Sequence, residues 1–513
     1  MGVFLLPVKL CDELNALCAK FWWGQVGNER KIHWKSWTSL SQPKKEGGMG
    51  FRDLRSFNLA MLGKQGWRLM HEKDSLLYNC FKARYFPRCH FLDATIPPNS
   101  SFVWRSIMTA MPLLKSGCCW RVGSGDEIRI RKDKWIPNYP SNMVLHPVAE
   151  DVEECMVADL IDPDLHCWRR DLILETFHIN DAKAICNIPL SRRRGVDSVI
   201  WLLTKNGKYS VRSGYHKARK EMINESWAES SSSAEGQRIW KVLWGLKIPS
   251  KLKVFGWRAC HEILPTRVNL AKRKILENVM CHCCQRFAEI AIHAVWECGA
   301  AQDVWAGSVT PLQKWSTSCQ DFRGLFEALL DRLQKEELEL FLVQAWMIWS
   351  QRNTVVHGGQ LREPGSLNKR AEDFLEEYRK AQRVIAPSNV NPGSCLWRAP
   401  PAEEFKLNFD AAIFADQHSS GFGAIIRNSA GEVMAGMSVK GPEVKSSEEA
   451  EVLACRRAVE FSREVGFSRV IIEGDCLNVM RALSDPTENS SLLGHIYEDI
   501  KSNLRGMQVL SIN

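Results

Sequence analysis

Cysteine and histidine are concentrated in one short stretch of the chain. Cys281-His-Cys-Cys284 is followed by His293 and then by Cys298. Two cysteines separated by two residues close two corners of a tetrahedron, and a later His and Cys supply the other two, which suits Zn²⁺. His282 and Cys283 leave the choice within the first pair open. The spacing predicts a closed, structural zinc site, against the alternative of small buried residues around an ordinary helix.

Three carboxylates near the C-terminus form a second set. Asp410 lies in a segment that alternates like a strand, Glu451 in a helical segment, and Asp475 at the end of an apolar run. Open α/β sheets place ligand sites at the C-terminal ends of their strands, and such a trio could hold two divalent cations. Each acid also has an ordinary explanation, as solvated strand face, helix surface or helix N-cap. Their order and topology together favour a metal site.

The segments around these acids predict a βββαβα order of elements. Alternating residues predict a three-strand meander, at 405–414, 423–427 and 432–439. Ser446 and Ser447, followed by two glutamates, predict a helix through Val465. A buried strand, two further helices and a last strand follow, at 470–475, from Leu477, near 491–505 and from Met507.

The residues before position 400 predict a different organisation. The first 110 residues have helical spacing, and so have residues 321–385. Two β-hairpins are predicted, Trp120–Arg131 around a Gly-Ser-Gly-Asp turn and Val199–Arg212 around Asn206-Gly207. We expect these regions: 1–150, 151–224 with a hairpin, a Ser-rich linker 225–237, a zinc module 238–310, a helical region 311–385, a Pro-rich linker 386–402, and a last domain 403–513.

The balance of basic and acidic residues also changes at the start of the last predicted domain. Residues 403–513 contain 11 Lys+Arg and 17 Asp+Glu, which leaves 57 basic and 42 acidic residues in 1–402. All 20 tryptophans lie at or before Trp397. The basic part predicts a polyanionic partner, with Arg129, Arg131, Lys132 and Lys134 as candidate phosphate ligands and Trp135 as a candidate for stacking on bases. The alternative is a solvated charged face and tryptophans in the core.

Composition excludes several classes of protein. With 45% hydrophobic and 25% charged residues, the chain is neither wholly disordered nor fibrous. Its longest apolar stretch, Phe341–Trp349, is about half of the ~20 residues that a membrane-spanning helix needs. The segment Met1–Pro7 has no basic start typical of a secretory signal. We therefore expect an intracellular protein, nuclear or cytoplasmic, with no membrane partner.

Longer motifs around these residues resemble a known family. Four segments are similar to the ribonuclease H-like domain of plant non-LTR (LINE-type) retroelement proteins: Lys406–Asp410, Gly421–Gly431, Ala450–Ala458 and Ile472–Asp475. The cysteine cluster and the segments Ile239–Pro249, Lys253–His261 and Leu264–Arg267 resemble the zinc-binding domain of the same reverse transcriptases. Near the start, Phe21–Gly24, Lys31–Trp34, Gly47–Asp53 and Lys82–Phe86 resemble the segment that follows the polymerase domain.

The resemblance implies a fold and a set of roles. We expect a multidomain α+β chain: a mainly helical N-terminal region with β-hairpins, a small zinc-binding module, and a C-terminal ribonuclease H-like α/β domain with a mixed sheet. Cys281, Cys284, His293 and Cys298 would bind a structural Zn²⁺. Asp410 would bridge two Mg²⁺ or Mn²⁺ ions, with Glu451 and Asp475 each helping to hold one, for hydrolysis of RNA in RNA–DNA hybrids.

The sequence also departs from the family pattern. It contains no Asp-Asp pair, and so no Tyr-x-Asp-Asp polymerase motif; we expect no reverse transcription by this chain and a separate polymerase-bearing retroelement protein as a partner. The family fold continues past the last strand into a helix with a further metal ligand, so the domain is expected to be truncated and its activity low. The alternatives are an inactive remnant that only binds nucleic acid, or an unstable fragment.

Overall fold

The computed structural model of the chain describes residues 2–27, 29–147, 155–226, 234–308, 312, 319–385 and 397–512. Residues 227–233 of the predicted Ser-rich linker and 386–396 of the predicted Pro-rich linker lie outside the described residues. The chain divides into two units: residues 1–6, 55–223 and 393–513 form the first, and residues 7–54 and 224–392 form the second.

Helices supply most of the regular structure, as expected for the region before position 400. In chain order they are α1 Val8–Trp22, α2 Trp37–Leu40, α3 Leu54–His71, α4 Leu76–Tyr85, α5 Phe102–Met108, α6 Met111–Gly117, α7 Arg170–Thr176, α8 Ile179–Cys186, α9 Val211–Ser226, α10 Ala234–Gly245, α11 Ser250–Cys260, α12 Arg267–Lys272, α13 Gly299–Ala306, α14 Phe322–Leu330, α15 Lys335–Val356, α16 Pro364–Ile385, α17 Ser447–Glu464, α18 Leu477–Ser484 and α19 Gly494–Arg505.

The described strands form two sheets. They are β1 Cys118–Arg121, β2 Ser198–Trp201, β3 Phe405–Phe414, β4 Ser419–Arg427, β5 Val433–Gly441, β6 Arg469–Glu473 and β7 Gln508–Ile512. Strands β3 to β7 form a mixed sheet in the order β5-β4-β3-β6-β7. The β3–β4 and β4–β5 pairs are antiparallel, whereas β3–β6 and β6–β7 are parallel. The predicted βββαβα order and the last strand are confirmed.

Local sequence explains why α17 begins where it does. The side chain of Ser446 accepts a hydrogen bond of 3.1 Å from the backbone N–H of Glu449, which satisfies an amide that the helix leaves unpaired. Glu448 and Glu449 lie in the first turn, where negative charge interacts favourably with the helix dipole. The helix then packs its buried face, which includes Val452, on the mixed sheet.

The first unit joins the mixed sheet to residues far upstream through buried polar contacts. Asp499 of α19 is 3% exposed, and its carboxylate accepts hydrogen bonds from Ser191 Oγ at 2.6 Å and the Arg192 backbone N–H at 2.9 Å. Arg456 of α17 lies 3.5 Å from the same carboxylate and donates to the carbonyl of Leu190. A buried carboxylate needs such partners, so the upstream segment completes the environment of α17 and α19.

A second set of contacts holds the upstream part of this unit against the loop before α19. Arg121 of β1 is buried, and its guanidinium donates 2.9 Å hydrogen bonds to the carbonyls of Asn489 and Ser491. Gly207 has a φ of +67° and approaches the carbonyl of Ser490 so closely that a Cβ atom would clash with it. Glycine is required at this position for both reasons.

The two predicted hairpins were wrong in their pairing. Residues 118–121 and 198–201 do form strands, but β1 pairs with β2, antiparallel, with Trp120 opposite Val199. The Asn206-Gly207 turn is present, and the backbone N–H of Trp201 donates to the carbonyl of Gly207 at 2.8 Å, yet the chain then enters α9 instead of a second strand. Long-range pairing outweighs the local turn signal here.

The second unit is helical, and its core is rich in aromatic residues, including Trp257, Phe326 and Phe341. A buried ion pair lies within this unit. The Arg352 guanidinium of α15 donates to the fully buried Glu289 carboxylate through Nε at 3.0 Å and through Nη2. Glu289 also accepts the backbone N–H of Arg267 at 2.9 Å. These bonds join the segment that carries the cysteine cluster to α15.

Across the described residues, no helix has the length and apolar content needed to cross a membrane.

Replacing Asp499 tests the join between the upstream segment and the mixed sheet. Asp499→Ala removes the acceptor of Ser191 and the counter-charge of the largely buried Arg456. We expect unfolding of the first unit to become easier by about 3 kcal/mol, as for other broken buried pairs. Urea denaturation followed by circular dichroism measures this. Asp126→Ala, which breaks the exposed ion pair with Arg194, is the control and should leave the midpoint nearly unchanged. Equal midpoints for the two variants would contradict the proposed join.

Candidate metal centres

The parallel pairing of β3 with β6 positions two of the three predicted carboxylates. The register ends with Asn408 opposite Glu473, and Asp410 and Asp475 each lie two residues further along, Asp410 within β3 and Asp475 just after the end of β6. Gly474, just before Asp475, lies so close to the Phe409 ring that a Cβ atom would clash with it. Gly423 is the partner of Asp410 on β4 and leaves the Asp410 side free of a bulky neighbour. Sequence reasoning did not single out either glycine.

Glu451 comes from α17, which crosses β3. One ligand oxygen from each of Asp410, Glu451 and Asp475 lies within 4.8 Å of the others. Asp410 and Asp475 are exposed, whereas Glu451 is 5% exposed and its Oε2 atom is buried without a hydrogen-bond partner. The structure thus brings the three predicted residues together beside the C-terminal end of β6.

Electrostatics at this cluster favour a bound cation. Burial, followed by the charges of Asp475 and Asp410, raises the pKa of Glu451 to about 7. Three carboxylates at this spacing repel one another, and a divalent cation between them would convert the repulsion into attraction. The partnerless Oε2 atom of Glu451 is the kind of hard oxygen ligand that Mg²⁺ or Mn²⁺ takes. The residues present therefore fit a divalent metal site.

The cysteine cluster lies in the second unit. Cys281 and Cys284 are on a tight turn, His293 begins a single π-helical turn, and Cys298 ends it and precedes α13. The ligand atoms of these four residues lie within 4.8 Å of one another. Cys281, His293 and Cys298 are buried, and Cys284 is partly buried. His282 and Cys283 lie outside this set of four.

Distances within the cluster match a tetrahedral zinc site. The Sγ atoms of Cys281 and Cys298 are 3.8 Å apart, and Cys284 Sγ is 3.4 Å from His293 Nε2. Zn–S bonds of about 2.3 Å and Zn–N bonds of about 2.0 Å imply tetrahedral edges of roughly 3.8 and 3.5 Å. The other ring nitrogen of His293, Nδ1, lies 3.9 Å from Glu297 Oε2, a carboxylate of the kind that orients metal-binding histidines. The geometry fits Zn²⁺.

The thiols of the cysteine cluster differ in their pKa values. Hydrogen bonds from the thiols of Cys283 and Cys298 lower the pKa of Cys281, and the Cys281 thiolate in turn raises the pKa of Cys283 and Cys298. For all of the candidate zinc ligands among them to be thiolates at once, a positive charge between the sulfur atoms would be needed. The buried Glu289–Arg352 pair is also part of the surroundings of Cys283. Sequence reasoning missed that pair, whose signal was an Arg within a largely apolar helix.

The residues predicted to bind phosphate are mostly engaged within the protein. Arg129 pairs with Asp133 at 2.8 Å and Asp93 at 3.1 Å, Arg131 donates to the carbonyl of His146, and Lys134 donates to that of Lys115. Lys132 is exposed. Their role in binding nucleic acid stays a prediction. The stacking role of Trp135 was wrong, because its ring is fully buried and donates to the Ile130 carbonyl.

Two family models match the segments of the chain that contain these two candidate centres. A family model described as zinc-binding in reverse transcriptase matches residues 209–305, and a model described as reverse transcriptase-like matches residues 408–512. The first contains the cysteine cluster and the second contains the three carboxylates.

Whole-chain comparisons give relatives from one plant. A protein of Arabidopsis thaliana named "Putative ribonuclease H protein" is 26% identical over 488 residues, which cover 93% of this chain and 77% of the relative. An "Uncharacterized mitochondrial protein" of the same plant is 37% identical over 137 residues, 26% of this chain and 89% of the relative. Among solved structures, RNase H1 from Halobacterium salinarum is 20% identical with a TM-score of 0.20, covering 21% of this chain and 83% of that one.

The order of these matches along the chain indicates the family to which the chain belongs. Both domain models match, the zinc-binding one first, and the shorter plant relative is covered over most of its length. The chain belongs to the plant retroelement-derived proteins that carry the zinc-binding domain of reverse transcriptases followed by a C-terminal ribonuclease H-like domain.

Proposed function

We propose that this chain binds nucleic acid and that its ribonuclease H-like domain, residues 403–513, hydrolyses the RNA strand of RNA–DNA hybrids. The observation that carries the proposal is the partnerless Oε2 atom of the buried Glu451, which lies with Asp410 and Asp475 in one cluster. A buried polar atom without a partner costs free energy unless a ligand satisfies it. The ligand that would satisfy this oxygen atom is a hard, positively charged ion. Hydrolysis of a phosphodiester uses ions of this kind.

The roles of the three residues are those that the resemblance to the ribonuclease H-like domain implies. Asp410 would hold both cations, while Glu451 and Asp475, which lie in the same cluster, would each hold one. Bound divalent cations at such a site supply activation of water and stabilisation of the leaving oxygen. The exposure of Asp410 and Asp475 leaves that side of the cluster open to a nucleic acid strand. The name of the relative called "Putative ribonuclease H protein" supports a ribonuclease H-type activity for this chain.

The cysteine cluster is proposed to have a structural role. Cys281, Cys284, His293 and Cys298 would supply four ligands to Zn²⁺, which leaves no position for water or substrate. The metal would then stabilise the module at residues 238–310 instead of taking part in hydrolysis. A polymerase-bearing retroelement protein is proposed as the partner that would deliver hybrid substrate.

Cleavage of a labelled RNA–DNA hybrid tests the proposed activity. With Mg²⁺ or Mn²⁺ present, Asp410→Asn should lower the cleavage rate at least about 100-fold, because the substitution removes one charged ligand. Asp416→Asn makes the same chemical change at an exposed residue in the turn after β3 and should leave the rate unchanged. If the unaltered chain binds hybrid without cleaving it, the protein is an inactive nucleic-acid-binding remnant.

Metal binding by the carboxylates has a readout that needs no activity. Adding Mg²⁺ or Mn²⁺ should raise the thermal midpoint of the first unit, because the cation binds the folded cluster and relieves its repulsion. At 100 times the dissociation constant the stabilisation should be about 2.7 kcal/mol. Asp475→Asn should reduce this shift, and Asp416→Asn should not. A shift that is equal in all three proteins would place the cation elsewhere.

Cysteine substitutions test the zinc site and decide which thiols belong to it. Purified protein should contain about one equivalent of zinc, and Cys298→Ser should lose it and lower the thermal midpoint of the second unit. Cys283→Ser is the matched control, because this thiol lies beside the cluster but outside the set of four. Elemental analysis with circular dichroism gives both readouts. Zinc lost from Cys283→Ser and retained in Cys284→Ser would reverse the assignment.

A further inference from the structure

A basic surface of the second unit is rich in tryptophan and lies outside both candidate metal centres. Two segments of the chain form it. Residues 20–46 contain six Lys+Arg, two Asp+Glu and four Trp, and residues 250–274, which include α11 and α12, contain seven Lys+Arg and one Asp+Glu. The Arg273 guanidinium, just after α12, donates to the carbonyl of His33 at 3.3 Å. The two segments therefore lie against each other, and their positive charges are close together.

Arginine and tryptophan side chains are paired on this surface. The Arg258 guanidinium lies over the Trp23 ring, 5.6 Å from its centre, and the Arg273 guanidinium lies over the Trp34 ring at 5.9 Å. The exposed ring of His33 lies 6.4 Å from that of Trp23. Arg273 is exposed and Trp34 is partly exposed, so this pair is accessible from solvent. We use the term arginine–tryptophan surface for Trp23, His33, Trp34, Lys35, Arg258 and Arg273.

The acidic residues of the two segments are engaged within the protein. Each of the three has a partner: Glu29 with Lys31, Glu46 with Lys45, and Glu262 with the backbone N–H of Phe322, at 3.0, 3.7 and 3.0 Å. The positive charge of the surface is therefore in excess, and its own segments do not neutralise it.

Two of the cations are partly buried without a counter-charge. Among the described residues, neither Lys35 nor Arg258 forms an ion pair, and burial lowers the pKa of each. Burial, followed by the charge of Lys35, also lowers the pKa of His261 to about 4, so Lys35 lies near the end of α11 that carries Arg258. A partly buried cation without a counter-charge is unfavourable in its charged form. An anion at this surface would compensate both.

The combination of charge and rings favours a single nucleic acid strand as that anion. A strand brings phosphates at regular spacing to several cations at once. Its unpaired bases stack on tryptophan rings and on guanidinium planes, whereas a duplex keeps its bases stacked on one another. A small anion would use the charge of the surface and leave the rings unused.

We propose that the arginine–tryptophan surface binds a single nucleic acid strand, with phosphates at Lys35, Arg258 and Arg273 and a base stacked on Trp34. The proposal rests on the proposed function in one respect, that the partner is nucleic acid. It goes beyond that function because hydrolysis is assigned to the first unit and this surface belongs to the second. It also gives the polyanion contact expected from the sequence a place outside residues 129–134, most of whose cations are engaged within the protein.

Binding of a labelled oligouridylate, which has no stable secondary structure, tests the charge contacts. Fluorescence anisotropy of the full chain, without Mg²⁺ and without a chelator that would remove zinc, gives the association constant over a range of salt concentrations. Lys35→Gln/Arg273→Gln should flatten the slope of log K against log salt by about 1.4, which is ~0.7 for each phosphate contact of a single strand. The control Lys369→Gln/Arg370→Gln changes two exposed cations of α16 in the same unit. Equal slopes for the two double variants would overturn the proposed surface.

Trp34→Leu tests the stacking contact. In the same assay the affinity should fall about fivefold to 100-fold, as for loss of one stacked base, and Trp34→Tyr, which keeps a ring, should retain most of it. Circular dichroism shows whether both variants are folded. Double-stranded RNA of the same length should compete more weakly than the single strand. Equal affinities of the two variants, or tighter binding of the duplex, would contradict the single-strand contact. Neither test needs cleavage, so failure here is distinct from failure of the proposed activity.

Discussion

The parallel pairing of β3 with β6 is the interaction on which the candidate active site depends. Asp410 and Asp475 are far apart in sequence, and this register places each of them two residues past the last pair of the two adjacent strands, Asn408 and Glu473. A shift of one residue would turn the side chain of one of them to the other face of the sheet. The buried residues Leu407 and Ile472 oppose each other in this pair and hold the register through their packing against α17 and its neighbours.

This arrangement also brings together three carboxylates that repel one another. Burial and the charges of Asp475 and Asp410 raise the pKa of Glu451, because a carboxylate buried beside two others is unfavourable in its charged form. The scaffold must therefore be stable for other reasons. The core under α17 provides part of that stability, and the buried contacts of Asp499 and Arg121 with upstream residues provide another part. The ribonuclease H-like fold in this chain is thus completed by residues that lie 307 and 308 positions before Asp499, the residue that they contact.

Sequence predicted the local structure well, because local patterns decide it. Alternation in β3 and the Ser446 cap of α17 are properties of a few adjacent residues, and both are confirmed. The partners of β1 and β2 were not predictable in the same way. Asn206-Gly207 does form a turn, but a turn motif cannot report that the preceding strand pairs with residues about 80 positions upstream. The contact of Ser191 with Asp499 spans 308 positions and left no local signal.

The two candidate metal centres also show why ligand chemistry was easier to predict than role. Cysteine spacing predicts zinc, and the structure places three of the four candidate zinc ligands in the protein interior, as a closed site requires. The carboxylate centre has the opposite character. Two of its three ligands face solvent and the third is buried without a partner, so part of each coordination sphere would remain open to water and phosphate oxygens. A closed thiolate site stabilises a fold, whereas an open carboxylate site exchanges ligands, and exchange is what hydrolysis of a phosphodiester needs.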